Sequence, residues 1–135
     1  MKLEHLALWT PQLEALRTYY ITYFGGISNE KYTNPSNSFE SYFIRFGSGA
    51  RLELMYRPDI PVNQNDTLQA QHLGLIHFAF EVDTMDEVEA KAREVRAAGF
   101  PILKGPRKTG DGYYEFETVD PDNNRIEVTT PYKQR

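Results

Sequence analysis

The 135-residue chain contains no cysteine, which excludes a disulfide framework, a thiolate nucleophile and any cysteine-ligated zinc site. Nor does it have a basic excess. Fifteen Lys and Arg stand against 19 Asp and Glu, a net charge of −4, so no positive field draws it to nucleic acid or to an anionic membrane surface. No apolar run approaches the roughly 20 residues that span a bilayer. The first residues enter a strand-like pattern without the basic and apolar stretches of an export signal, so a cytoplasmic location is expected. What remains, 40% hydrophobic and 25% charged residues, is the composition of a globular fold large enough to bury a core.

Two short stretches occur twice. Leu3-Glu4-His5-Leu6-Ala7-Leu8 returns as Leu75-Ile76-His77-Phe78-Ala79-Phe80, and Arg51-Leu52-Glu53-Leu54 returns as Arg125-Ile126-Glu127-Val128. The histidines are 72 residues apart and the glutamates 74, so one module has been duplicated nearly in register.

Periodicity gives each module the same order of elements. Residues 2–9 alternate at strand period, Thr10-Pro11 reads as an N-cap and first helical proline, and Leu13, Leu16, Tyr20 and Phe24 recur at helical spacing before Gly25-Gly26. Residues 38–46 and 50–57 read as a hairpin about Gly47-Ser48-Gly49, with a weak extra strand expected in the polar stretch 28–37. In the second half, 75–82 is a strand and Thr84 with Glu87 forms a capping box. Met85, Val88, Ala92 and Val95 make the helical stripe, and Gly99 ends it. Residues 101–104 suggest a short strand, and 113–119 with 124–130 a closing hairpin. Module one thus covers 1–57, a linker 58–73, and module two 74–135, all within one domain.

Strand alternation sorts the side chains onto two faces. Leu6 and Leu8, Leu52 and Leu54, Phe78 and Phe80, and Ile126 and Val128 can pack beneath a helix. His5, Glu53, His77 and Glu127 then all take the opposite face. A single exposed His or Glu would be an ordinary solvated residue. Two carboxylates brought close together repel, and burying them costs several kcal/mol unless a cation offsets the charge. A divalent ion does so and uses the imidazoles as well.

Two tandem βαβββ modules with His in each first strand and Glu in each last strand resemble the vicinal oxygen chelate superfamily of glyoxalase I, methylmalonyl-CoA epimerase, extradiol dioxygenases and fosfomycin- and bleomycin-resistance proteins. The likeness runs through the whole chain. It is sharpest at Gly74–Phe80, at the helix-ending Gly25 and Gly99, and at Asp120-Pro121-Asp122-Asn123-Asn124-Arg125-Ile126-Glu127, which resembles the family's Asp-Pro-Asp-Gly-Asn-x-Ile-Glu signature.

That resemblance implies an α+β fold in which the two modules form a curved mixed sheet around a metal site. It implies His5, Glu53, His77 and Glu127 as ligands of one divalent ion per site (Ni, Co, Zn or Mn), and Glu127 and Glu53 as the catalytic carboxylates. The His-Glu-His-Glu order is similar to bacterial glyoxalase I. It points to a lyase or isomerase acting on a small hemithioacetal, or a related vicinal-oxygen substrate, through an enediolate. Alternatives are another metalloenzyme of the superfamily (an epimerase, dioxygenase or thiol transferase) or a non-catalytic small-molecule-binding resistance protein. A homodimer is also implied, with each site completed within one chain or across two.

Trp9 stands where glutathione-using relatives resemble one another in an Arg. It offers an apolar plate without a carboxylate-binding fork, so glutathione fits poorly. The basic, glycine-rich segment 104–112 supplies two further substrate candidates, Arg107 and Lys108, for an anionic group; its bland reading is a solvated turn. Arg51 and Arg125, two residues before the glutamates, either orient those carboxylates or serve as structural pairs.

Overall fold

The computed structural model describes residues 1–135. The chain divides into two compact units, Met1–Asn63 and Gln64–Arg135. The second half of the expected linker therefore belongs to unit two.

Unit one runs β1 (His5–Trp9), α1 (Leu13–Phe24), β2 (Ile27–Ser28), β3 (Tyr32–Asn34), β4 (Phe39–Arg45) and β5 (Arg51–Tyr56). Its sheet has the order β1-β5-β4-β2, with β3 also on β4. Only the β1–β5 pair is parallel. Unit two repeats the plan with β6 (His77–Glu81), α2 (Met85–Ala97), β7 (Ile102–Lys108), β8 (Tyr113–Val119) and β9 (Arg125–Pro131), in the order β6-β9-β8-β7. Here too the first strand lies parallel to the last. The fold is α+β, built from two mixed sheets with one helix each, as the repeat implies. No helix is long and apolar enough to cross a membrane.

In each unit the helix covers the aliphatic face of its sheet. Leu13, Leu16, Tyr19 and Tyr20 of α1 are buried, as are Leu52 and Leu54 of β5. The stripe Met85, Val88, Ala92 and Val95 of α2 is likewise buried with Ile126 and Val128 of β9. Both helices thus contact the strand that carries the glutamate.

Three local expectations are revised. The first helix begins at Leu13, with Gln12 as N-cap and no side-chain cap; Thr10 Oγ1 instead accepts a hydrogen bond from the Gln12 N–H, forming a turn before the helix. The polar stretch holds two short strands rather than one. The strand after α2 is longer than 101–104 and takes in the basic residues up to Lys108, because cross-strand pairing with β8 outweighs the Gly-Pro composition. The Thr84–Glu87 capping box forms as expected, with Glu87 N–H donating to Thr84 Oγ1 and Glu87 Oε2 accepting from the Thr84 N–H.

Candidate metal centre

Each unit presents a His–Glu pair built by the same register. In unit one His5 is opposite Arg51 and Ala7 is opposite Glu53; in unit two His77 is opposite Arg125 and Ala79 is opposite Glu127. The glutamate therefore lies diagonally across from the histidine on the open face, within reach of its ring. His5 Nε2 stands 3.7 Å from Glu53 Oε1, and His77 Nε2 stands 2.6 Å from Glu127 Oε1. The histidines are the more exposed partners, at 41% and 38%, against 18% and 15% for the carboxylates.

The surroundings of the two pairs differ. Across from Glu53 on β4 is Phe43, whose ring takes the edge of His5 at 5.5 Å and the guanidinium of Arg51 at 4.1 Å. Arg51 pairs with Glu4, which also accepts from His5 Nδ1 at 2.8 Å. Across from Glu127 on β8 is Glu117, a second carboxylate and only 6% exposed. His77, Glu117 and Glu127 each offer a ligand atom within 4.8 Å of the others.

Glu117 can be buried because Arg125 pairs with it, Nη1 to Oε1 at 2.8 Å. Arg125 also donates to the Thr67 carbonyl at 2.6 Å and the Ala70 carbonyl at 3.1 Å. The segment before β6 is thereby tied over the buried pair, helped by Thr67 Oγ1 donating to the Asn123 carbonyl. Neither Arg51 nor Arg125 is bonded to the glutamate two residues on, so both act as structural pairs.

Glu127 is held above the ordinary carboxylate range. Burial is the main cause; the His77 ring partly opposes it, and the charges of Glu115 and Glu117, with a hydrogen bond to Glu115, push the same way as burial. A carboxylate crowded by two others and touching an imidazole is a donor set of nitrogen and oxygen that suits a divalent cation. Its own electrostatics disfavour the ionised form until a cation is added.

A cavity of about 160 Å³ opens beside this cluster, lined by His77, Glu115, Glu117 and Glu127 together with Lys104 and Arg107. Arg107, a substrate candidate from the sequence, lines this cavity. Lys108 does not line it; its ammonium lies over the Tyr132 ring at 4.5 Å. Trp9 is 40% exposed, on the face of β1 that carries His5, with Phe39 edge-on at 6.0 Å and the Arg57 guanidinium 5.4 Å from its ring.

Glu115, Glu117 and Lys104 are additions to the sequence reading. The signal for the two glutamates was present in 113–119, where Phe116 and Thr118 alternate with Glu115 and Glu117. Once Phe116 is assigned to the helix side, both glutamates must share the face of Glu127.

A family model described as the Glyoxalase/Bleomycin resistance protein/Dioxygenase superfamily matches residues 2–128. The chain belongs to this superfamily. A relative from Bacillus subtilis (strain 168), the uncharacterized protein YqjT, is 23% identical over 132 residues, 96% of this chain and 98% of its own. Among solved structures, a glyoxylase/bleomycin resistance protein/dioxygenase domain from Frankia sp. EAN1pec aligns with a TM-score of 0.79 at 14% identity, over 98% of each chain. The trypanothione-dependent glyoxalase I of Leishmania major aligns at 0.75 and 21% identity, over 95% of this chain and 85% of its own. At these identities the likeness establishes the glyoxalase-like fold. The superfamily includes enzymes such as glyoxalase I, and in this member the cluster at His77 is a possible cation site.

Proposed function

We propose that this superfamily member is a divalent-metal-dependent lyase or isomerase of the glyoxalase I type, with His5, Glu53, His77 and Glu127 as its metal ligands. The observation that carries the reading is the repeated diagonal register, which sets an imidazole against a carboxylate in the same way in both units. A chain needing only a wet sheet face has no reason to keep both pairs in one geometry.

Bound there, a divalent ion would act as a Lewis acid on substrate oxygens and stabilise the negative charge left when a C–H proton departs. The proton itself is work for Glu127. Its raised proton affinity matches a group that takes a proton from one carbon and returns it to the next. Glu53, its counterpart in the repeat, would serve the other substrate face. Trp9 offers an apolar plate to the substrate's thiol-derived part, which favours a thiol other than glutathione. A homodimer is part of the same proposal.

The test is elemental analysis followed by turnover. Protein loaded in turn with Ni, Co, Mn and Zn is assayed with methylglyoxal and a panel of thiols, and its mass in solution is recorded. A stoichiometric ion lost in His5→Ala and in Glu127→Ala alike supports the four-ligand set. An ion lost only with unit-two substitutions restricts the centre to unit two. No bound ion under any loading condition refutes the proposal.

A further inference from the structure

Glu4 stands immediately before β1, and Arg51 holds it by both backbone and side chain. The Glu4 carbonyl accepts from the Arg51 N–H at 2.8 Å, and Glu4 Oε1 accepts from the Arg51 guanidinium. The other carboxylate oxygen, Oε2, lies 2.8 Å from His5 Nδ1. Arg51 is itself seated, its guanidinium 4.1 Å from the centre of the Phe43 ring. The two oxygens of Glu4 are thus divided between a fixed cation and the imidazole of the first histidine. Which nitrogen of a neutral histidine carries the proton is set by the hydrogen bond made at the other. A carboxylate at Nδ1 accepts the proton there and leaves the lone pair of Nε2 open. Nε2 is the nitrogen nearest Glu53, and their separation of 3.7 Å is too long for a hydrogen bond, so Glu53 does not occupy it.

Unit two is built differently at the same place. Ile76 stands where Glu4 does, and its side chain can accept no hydrogen bond. Arg125, the counterpart of Arg51, is turned instead to Glu117 and to the carbonyls of Thr67 and Ala70. His77 meets Glu127 through Nε2 at 2.6 Å, so the nitrogen a cation would use is already taken by the glutamate. Unit one meets an ion with its nitrogen ready. Unit two must first part His77 from Glu127.

We propose that Glu4 is a positioning residue for metal capture: fixed by Arg51, it keeps the proton of His5 on Nδ1 and so presents Nε2 to the ion. This deepens the reading of His5 as a metal ligand and rests on it. A ligand histidine whose second nitrogen donates to a carboxylate has its ring orientation fixed and is the more basic donor. Glu4 touches neither ion nor substrate, and its effect passes through the imidazole alone.

Ring-nitrogen NMR of the metal-free protein reads the tautomer, at about pH 8.5, where an ordinary histidine with a pKa of about 6.5 is neutral. The expected result is a proton on Nδ1 of His5. Glu4→Leu, which gives unit one a side chain as inert as Ile76, should move that proton to Nε2 and weaken zinc binding about 10-fold or more. Glu4→Gln keeps an acceptor oxygen and should restore most of both. Glu30→Leu, in the exposed turn between β2 and β3, removes the same charge and should change neither. A wild-type His5 with its proton on Nε2 overturns the proposal, and so does a Glu4→Leu protein whose zinc affinity stays within threefold of wild type. A Glu4-dependent tautomer in protein that takes up no zinc upholds the setting of His5 and refutes the metal reading alone. Should Glu4→Leu fold poorly, the wild-type spectrum and Glu4→Gln still decide.

Discussion

Glu117 lies directly across from Glu127 in the β8–β9 ladder. The corresponding place across from Glu53 is taken by Phe43. Like charges placed opposite each other destabilise a sheet, so a face that keeps Glu117 there needs a compensating cation. Arg125 supplies one, and its guanidinium is bonded to Glu117 and two carbonyls. The ion-pair partner of Glu127 is the His77 imidazole. The repeat has diverged: unit one holds its pair against an aromatic ring, and unit two within a cage of carboxylates.

That divergence predicts unequal contributions to metal affinity. Glu117→Gln should weaken zinc binding about 10–100-fold, the usual effect of disturbing a group that supports a metal ligand. Phe43→Leu, which leaves no donor changed, should alter it by less than about threefold, well below that range. Competition against a chromophoric chelator measures both; equal losses would show that Glu117 has no special role.

Arg125 and Glu117 are each nearly inaccessible, at 5% and 6% exposure. Removing one partner leaves the other charge buried and unpaired, so Arg125→Met should cost about 3–5 kcal/mol in urea unfolding. Adding Glu117→Met should recover part of that loss, because the stranded charge goes with it. The recovery will be incomplete, since the carbonyls of Thr67 and Ala70 also lose their donor. A double variant no better than the single would mean that these carbonyl contacts, and not the ion pair, dominate.

The raised proton affinity of Glu127 fixes the sign of a pH effect. Above the ordinary glutamate value of about 4.3, the folded metal-free protein keeps a proton that the unfolded chain releases. This group's contribution to stability therefore falls as pH rises through that window. Glu14 and Glu89, held low chiefly by hydrogen bonds from Lys31 and Tyr114, act in the opposite sense, so the comparison must be with Glu127→Gln. Metal uptake in the same window should release more protons from wild type than from Glu127→Gln, the difference belonging to Glu127. Calorimetry in buffers of differing ionisation heat reads this directly.

The sequence was most informative where a period or a capping pattern left one solution. The helical stripe Met85, Val88, Ala92 and Val95 is buried as its spacing requires, and the Thr84–Glu87 box forms as written. Strand alternation made legible that each His shares a face with its Glu; the parallel pairing of first and last strands, which sets them diagonally, came from the structure. Thr10 misled because its hydroxyl could close a turn two residues earlier than a cap, a competition common to Ser and Thr. The bulges in β7, between Ile102 and Lys104 and between Lys104 and Arg107, lay beyond reach. Composition at Lys104–Lys108 suggests a turn, and only pairing against β8 reveals a strand that carries two cations to one face.

Gly105 tests how far the site depends on that bulge. Its positive φ is costly for any residue with a Cβ, and the added carbon would be driven into the β8 backbone, at 2.4 Å from the Glu115 carbonyl and 3.1 Å from the Phe116 Cα. Backbone atoms in the middle of a sheet cannot rotate aside as a flexible side chain would. Gly105→Ala should therefore destabilise the protein by about 2–3 kcal/mol, combining the left-handed penalty with a displaced strand. Gly110→Ala is the matched control, because a Cβ there meets nothing and its backbone is not left-handed. Thermal melts of the two variants separate the effects. If Gly105→Ala melts with Gly110→Ala, the strand can shift without loss and the bulge is not what holds Lys104 and Arg107 at the cavity.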